Sequence, residues 1–322
     1  MQQPQPRVAV TARGFRSTPS AVILLERAGL RIEPWLLADD QSDAVVTEAE
    51  LIEALRDCQG VVLGAAPMTA RVINALPNLQ VIARRGVGVD NVDLAAARAA
   101  GVQVTTTAGA VEAAVAEYVL AVILAFYRRI VEGDAAVRAG RWPALVGESM
   151  EGSTLGIVGY GGIGRRVAQL ARGFGMSVLV HDARPGIVEA PDVQTDLSAV
   201  LRAADVLTVH VPLRPETRGL IGEAELRQLR PSAVLINTAR GGVVDETALT
   251  KALRGGKLRG AGLDVFESEP PAGSPLLELP NVILSPHVAG TTGRSKRLAN
   301  ESAARSVVAA LSGGSNDQKG KA

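Results

Sequence analysis

The chain has 322 residues, 47% of them hydrophobic and 21% charged, with a formal net charge of +1. That length suits about two domains, and the apolar fraction can fill sizeable cores, which excludes disorder as a starting point. A balance so close to neutral gives no electrostatic footprint for nucleic acid or an anionic membrane, so neither is expected as a partner.

The N-terminus, Met1-Gln2-Gln3-Pro4-Gln5-Pro6, is polar and has no apolar core of a secretory signal. The longest apolar stretch, residues 115–126, contains Glu117 and is too short to span a bilayer. A soluble, cytoplasmic protein is expected. The lone Cys58 permits no internal disulfide, which fits a reducing compartment, and its place near a predicted helix end suits packing. Three scattered histidines and one cysteine supply no metal constellation.

In chain order, short β-branched runs predict strands at 8–12, 60–63, 81–84 and 102–105, with helical periodicity between them at 48–56 and 70–75. Residues 111–140 read as one long helical segment, apolar at its start and polar at its end. It is either a linker helix between domains or an arm that buries its apolar face against a partner subunit. Further strands are predicted at 154–158, 177–181, 206–211, 233–237, 260–265 and 282–284, and a last helix at 294–311. From Gly313 the tail is small and polar and predicted to fray. Strands alternating with helices predict parallel sheets, here two of them.

The strongest local motif is Gly159-Tyr160-Gly161-Gly162-Ile163-Gly164, which follows an apolar strand and opens a helix. The spacing suits a dinucleotide: Gly159 for the tight turn, Gly161 for close approach to the pyrophosphate, Gly164 for helix against strand. The helix N-terminus offers free N–H groups to the diphosphate. Asp182 ends the next strand, where a carboxylate accepts ribose hydroxyls and repels a 2′-phosphate, so NAD is expected as the cofactor. Arg184 is either an exposed loop residue or a group that admits a 2′-phosphate.

Hydride transfer with a nicotinamide cofactor needs a proton carrier from the protein, and histidine suits neutral pH. His181 precedes the ribose acid and is at the wrong end of a cofactor, and His210 lies in an apolar strand as a wall residue or backbone contact. His287 follows a strand, at the sheet edge where open α/β sheets bind ligands. Arg240, just past another strand, has the fork that grips a carboxylate. Glu269 is also placed past a strand, and an acid beside an imidazole orients it and stabilises the imidazolium.

These residues sit in long stretches that together resemble the D-isomer-specific 2-hydroxyacid dehydrogenases, nearest in pattern to D-3-phosphoglycerate dehydrogenase-like members. The resemblance runs over about residues 45–292 and includes Arg85-Gly86-Val87-Gly88-Val89-Asp90-Asn91, the glycine loop, Val209-His210-Val211-Pro212-Leu213 with Thr217-Arg218-Gly219, Asn237-Thr238-Ala239-Arg240-Gly241-Gly242, Gly262-Leu263-Asp264, Glu269-Pro270 and Pro286-His287. It implies Arg240, Glu269 and His287 as the catalytic set, and the amides of Val87 and Gly88 as the nest for the substrate carboxylate. Cofactor contacts are implied for Gly159, Gly161, Gly162, Ile163, Gly164, Asp182, His210, Val211, Pro212, Thr217, Thr238, Ala239, Asp264 and Gly290, with Asp264 on the nicotinamide carboxamide. The implied fold is two flavodoxin/Rossmann-like, doubly wound parallel-sheet domains with the active site in the cleft between them. Residues 1–104 and 293–322 would form the substrate-binding domain and 105–292 the NAD-binding domain, pairing into a homodimer through the arm at 111–140.

The implied activity is NAD(H)-dependent interconversion of a small anionic D-2-hydroxy acid and its keto acid. A phosphoglycerate-like, doubly anionic substrate leads, with glyoxylate/hydroxypyruvate reductase as the alternative and an NADH-sensing corepressor-like binding protein as the alternative of another class. The chain departs from the family pattern at Ala108, Val111, Gly162 and Gly64, the last standing where phosphoglycerate-type members carry arginine. Arg84 and Arg85 flank the carboxylate nest and either hold a second anionic group or form an ion pair at a strand end.

Overall fold

The computed structural model describes residues 5–34, 37 and 41–312. The tail from Gly313 lies outside them. The chain divides into two compact units, Met1–Val111 with Thr292–Ala322, and Glu112–Thr291.

The first unit winds as β1 (Arg7–Val10), α1 (Pro19–Arg27), β2 (Arg31–Ile32), α2 (Glu48–Leu55), β3 (Gly60–Leu63), α3 (Ala70–Asn74), β4 (Val81–Arg84), α4 (Leu94–Ala99) and β5 (Gln103–Thr106). All strands are parallel, in the order β2-β1-β3-β4-β5. Alternate side chains of one strand feed opposite faces, which is why the central strands β1, β3 and β4 are apolar over most of their length, whereas the edge strand β5 is Gln-Val-Thr-Thr. Val8 and Val10 join Val62, Val81 and Ala83 under α1 and the C-terminal helix Gly293–Ser312. Ala9, Val61, Leu63 and Ile82 pack with Leu51, Leu55 and Val72 on the other face. The α2 start is fixed by a capping box, in which Thr47 and Glu50 satisfy each other's amides. The C-terminal helix docks on α1 through Asn300, whose amide donates to Gly14 O and Thr18 Oγ1. Cys58 is buried after α2, and burial pushes its thiol up to about 11, so it is packing material. Helix α1 and strand β2 were not foreseen, because the apolar residues of α1 run together at 21–25 rather than at helical spacing and β2 is only two residues long.

The second unit contains α5 (Glu112–Tyr127), α6 (Ile130–Arg138), β6 (Thr154–Val158), α7 (Gly162–Gly173), β7 (Ser177–His181), β8 (Val193–Gln194), α8 (Leu197–Ala203), β9 (Val206–Val209), α9 (Glu223–Leu226), β10 (Val234–Asn237), α10 (Glu246–Arg254), β11 (Gly260–Leu263) and β12 (Val282–Leu284). Its parallel sheet runs β12-β11-β10-β9-β6-β7-β8, and the winding direction reverses at β6, which lies between β9 and β7. The single helix expected over residues 111–140 is two: the chain breaks at Arg129, which takes a left-handed φ of 52°. Helix α5 is buried nearly all round. It approaches the sheet over Gly260 and Gly262, where an added Cβ would lie 2.6 Å from Phe126 and 2.5 Å from Val122. Strand β9 ends at Val209 rather than at 211, which leaves His210 in the loop. Residues 105–111, placed with the nucleotide-binding domain on the sequence, fall in the first unit, since a cut after 104 would split β5. Among the described residues no helix is long and apolar enough to cross a membrane.

Candidate active site

The carboxyl edge of the second sheet carries the glycine turn. Gly159 adopts φ +97°, and a Cβ on it would strike the His210 carbonyl at 2.8 Å. A Cβ on Gly164 would lie 2.2 Å from Gly159 O, so helix α7 can start this close to the strand only with glycine. Gly161, the N-cap of α7, has open space where its Cβ would be. That opening over a helix N-terminus fits a bound pyrophosphate. Gly162 begins the helix with its missing Cβ toward Glu112, and Ile163 follows half-buried.

Asp182 ends this edge one strand over. Its oxygens accept the Tyr160 N–H at 2.8 Å and a fork from Arg184 at 3.0 and 2.9 Å. Arg184 holds the carboxyl far below the usual carboxylate range, although burial opposes the shift. Arg184 is the exposed loop residue that the sequence offered as one of its two readings, and it also pairs with the ribose acid.

His210 Nε2 lies 3.0 Å from Thr208 Oγ1, and burial pushes its pKa down to about 3. It is a neutral wall residue beside Val211 and Pro212. Thr217 Oγ1 donates to Pro212 O at 2.6 Å and accepts the Arg214 N–H, closing its own loop. Among the described residues the buried Thr238 Oγ1 and His210 Nδ1 have no hydrogen-bond partner, as expected of a surface that a cofactor completes.

Three loops bring the expected catalytic set together. After β10, buried Asn237 clamps its own turn, donating to Arg240 O at 2.8 Å and accepting from Ala239 N–H at 3.0 Å. Gly241 follows because any Cβ there would overlap Phe266. After β11, Asp264 is 1% exposed and accepts from Ser285 Oγ at 2.5 Å and from the amides of Val288 and Ala289 at 2.8 Å. Its carboxylate thus anchors the loop of His287, a residue held at φ +53° with its N–H on Asp264 O. Tyr118 of α5 extends the anchor by donating to Ser285 at 2.5 Å.

His287 Nδ1 lies 2.8 Å from Glu269 Oε2. Burial alone would raise the Glu269 carboxyl, but the His287 contact, the Phe266 amide and nearby Arg240 bring it below its ordinary value. A charged carboxylate on Nδ1 fixes the tautomer and leaves Nε2 to exchange protons. The imidazole is about half exposed, so a substrate can reach it. Sequence reasoning missed Asn237, Ser285 and Tyr118 as supports; only Asn237, capping a strand, carried a local signal.

In the first unit, Val87 and Gly88 follow β4 on an accessible loop, and among the described residues nothing accepts their N–H groups. Arg84 Nε donates to Asn91 Oδ1 at 3.2 Å, and its Nη1 to the Arg85 carbonyl, bracing this loop. Asn91 Nδ2 ties the loop to the Gly64 and Ala66 carbonyls after β3.

Residues 120–289 match the family model described as "D-isomer specific 2-hydroxyacid dehydrogenase, NAD binding domain". A glyoxylate reductase of Korarchaeum cryptofilum is 37% identical over 95% of this chain and 92% of that protein. A D-3-phosphoglycerate dehydrogenase of Mycobacterium leprae is 39% identical over 87% of this chain and 53% of that protein. Among solved structures, D-lactate dehydrogenase from Aquifex aeolicus, complexed with NAD and lactic acid, aligns with a TM-score of 0.82 at 29% identity, covering 98% of this chain and all of that one.

Proposed function

The chain belongs to the D-isomer specific 2-hydroxyacid dehydrogenase family, and from that premise we propose that it is a cytoplasmic, homodimeric reductase of glyoxylate or hydroxypyruvate that prefers NADH. The observation that carries the reaction is the His287–Glu269 pair at 2.8 Å with Arg240 beside it. The glycine turn would hold the pyrophosphate of a bound dinucleotide, Thr238, Ala239 and Asp264 would lie toward its nicotinamide end, and the cofactor would supply the hydride. In reduction, the His287 imidazolium gives its Nε2 proton to the keto oxygen as the carbonyl carbon receives the hydride. Glu269 stabilises the cation before transfer and orients the ring. Arg240 polarises the keto oxygen and grips the carboxylate. The Val87 and Gly88 amides supply a further carboxylate nest.

Substrate choice rests on a smaller set of facts. The phosphoglycerate-like reading is weakened because Arg84 braces its own loop and residue 64 is glycine. Relatives matched end to end carry the glyoxylate reductase name, whereas the phosphoglycerate dehydrogenase match spans about half of that protein. Asp182, held charged by Arg184, supports NADH over a 2′-phosphorylated cofactor.

The test is oxidation of NADH and of NADPH against glyoxylate, hydroxypyruvate, phosphohydroxypyruvate and 2-oxoglutarate. The expected order puts glyoxylate and hydroxypyruvate first, with NADH. His287→Ala should abolish turnover and keep NADH binding, while Arg240→Ala should chiefly raise the keto-acid KM. NADH binding without turnover of any keto acid would instead favour a binding protein.

A further inference from the structure

The first sheet reverses its winding between β1 and β3, since β1 leads outward to β2 and the chain then crosses back to β3. In open α/β sheets such a switch point leaves a crevice at the carboxyl ends of the two strands, where ligands, often anionic ones, settle on loop amides. Here the crevice is filled by the chain's own acid. Asp43 belongs to the short turn Asp43–Val45 and is only 2% exposed. Its Oδ2 accepts the Thr11 hydroxyl at 2.6 Å and the Gly64 N–H at 3.1 Å. Its Oδ1 accepts the Ala65 N–H at 2.6 Å. Thr11 follows β1 and Gly64–Ala65 follow β3, so the donor set bridges the two strand ends of the switch point.

Two successive amides and a hydroxyl are an anion site, and the carboxylate saturates it. Residue 64 and residue 43 also form one device. A Cβ on Gly64 would lie 2.4 Å from Asp43 Oδ1 and 2.6 Å from Oδ2, so no side chain can start at 64 while Asp43 is in place. The same loop is tied to the loop that carries the proposed carboxylate nest, because Asn91 Nδ2 donates to the Gly64 and Ala66 carbonyls and follows Val87 and Gly88 in one turn.

We propose that Asp43 is an internal anion that occupies the β1–β3 crevice beside the carboxylate nest, and that it makes the enzyme reject keto acids with a second anionic group. This rests on the reading of the protein as a reductase of singly charged keto acids. A phosphate arriving beside the nest meets a like charge, and the donors that would receive it are already taken. Asp43 is thus a specificity-determining residue rather than a catalytic one.

The test compares wild type with Asp43→Ser, which empties the crevice, and Asp43→Asn, which keeps its volume and removes its charge. The first readout is thermal unfolding of the cofactor-free protein with inorganic phosphate against chloride at equal ionic strength. Asp43→Ser should gain a phosphate-dependent rise in Tm that wild type lacks. The second readout is the ratio of kcat/KM for hydroxypyruvate to that for phosphohydroxypyruvate, expected to exceed about 100 in wild type and to fall at least about tenfold in either variant. Should Asp43→Ser fail to fold, the ratio in Asp43→Asn decides. A wild type that accepts phosphohydroxypyruvate as readily as hydroxypyruvate overturns the proposal, and so does a folded Asp43→Ser with no phosphate response and an unchanged ratio. Absence of all keto-acid turnover would instead overturn the reductase reading, and the phosphate response would still decide whether Asp43 holds an anion site.

Discussion

Asp264→Asn should unhitch the loop that presents His287. In the wild type one carboxylate oxygen accepts the Ser285 hydroxyl and the Val288 N–H, and the other accepts the Ala289 N–H. Asparagine keeps the shape but turns one of these oxygens into a donor, so at least one buried N–H loses its acceptor and faces an NH2 group. A hydrogen bond to a charged group is worth about 1.5–3 kcal/mol, and an unpaired buried donor costs about 1–3 kcal/mol. Because these overlap, a net loss of about 3 kcal/mol is expected. In a domain this size, 1 kcal/mol moves Tm by about 2–4 °C, giving a drop of about 6–12 °C. His287 also holds a left-handed backbone, costly for a non-glycine residue, that this loop maintains. Released, the ring should drift from Glu269, and kcat should fall at least about tenfold, the penalty of misplaced catalytic groups. Calorimetry and steady-state kinetics at saturating keto acid measure both, with NADH titration as the control. Unchanged Tm and kcat would refute the anchoring argument. Lost NADH affinity with kcat intact would make Asp264 a cofactor contact alone.

Glu269→Gln should lower kcat strongly and shift the alkaline limb of the reduction profile toward acid, since the imidazolium loses its counter-charge; an unmoved limb would count against the pair. The Glu269 carboxyl titrates below its usual value in the folded chain, so its stabilising effect is present above the usual carboxylate range and is lost as pH falls through the folded value. The Tm gap between wild type and Glu269→Gln should therefore close in acid, as differential scanning calorimetry across pH would show. His210, pushed down to about 3, is neutral at working pH, so His210→Asn should leave both limbs of the pH–rate profile in place. Ile130, Val131 and Val137 on the predicted dimer arm at 111–140 are about half exposed, and just past it Trp142 and Val146 are 90% and 82% exposed. Trp142→Glu with Val146→Glu should turn a dimer into a monomer in sedimentation equilibrium; a monomeric wild type would end that reading.

Much of the architecture was legible because both faces of these parallel strands are buried. The runs at 60–63, 81–84, 154–158, 177–181 and 282–284 are mostly apolar, with polar residues only at their ends, and coincide with the observed strands. The glycine turn was legible for a steric reason, since only glycine tolerates the contacts at 159 and 164. Helix 111–140 was not divided correctly, because Arg129 is an ordinary helix former whose left-handed φ comes from how the chain turns, not from its side chain.

By itself the sequence determined the strand–helix alternation, the dinucleotide turn and the residue types able to move a proton and grip a carboxylate. These follow from local periodicity and from sterics within a few residues. Only the tertiary structure decided that Asp264 holds the His287 loop, that Arg184 engages Asp182 and that Asp43 fills the space over Gly64. The Asp264 anchor spans 21 to 25 positions of sequence and the Asp43 contacts 21 to 32. Hydrogen bonds across such separations exist only once strand order has brought the loop ends to one sheet edge, and no local pattern encodes them.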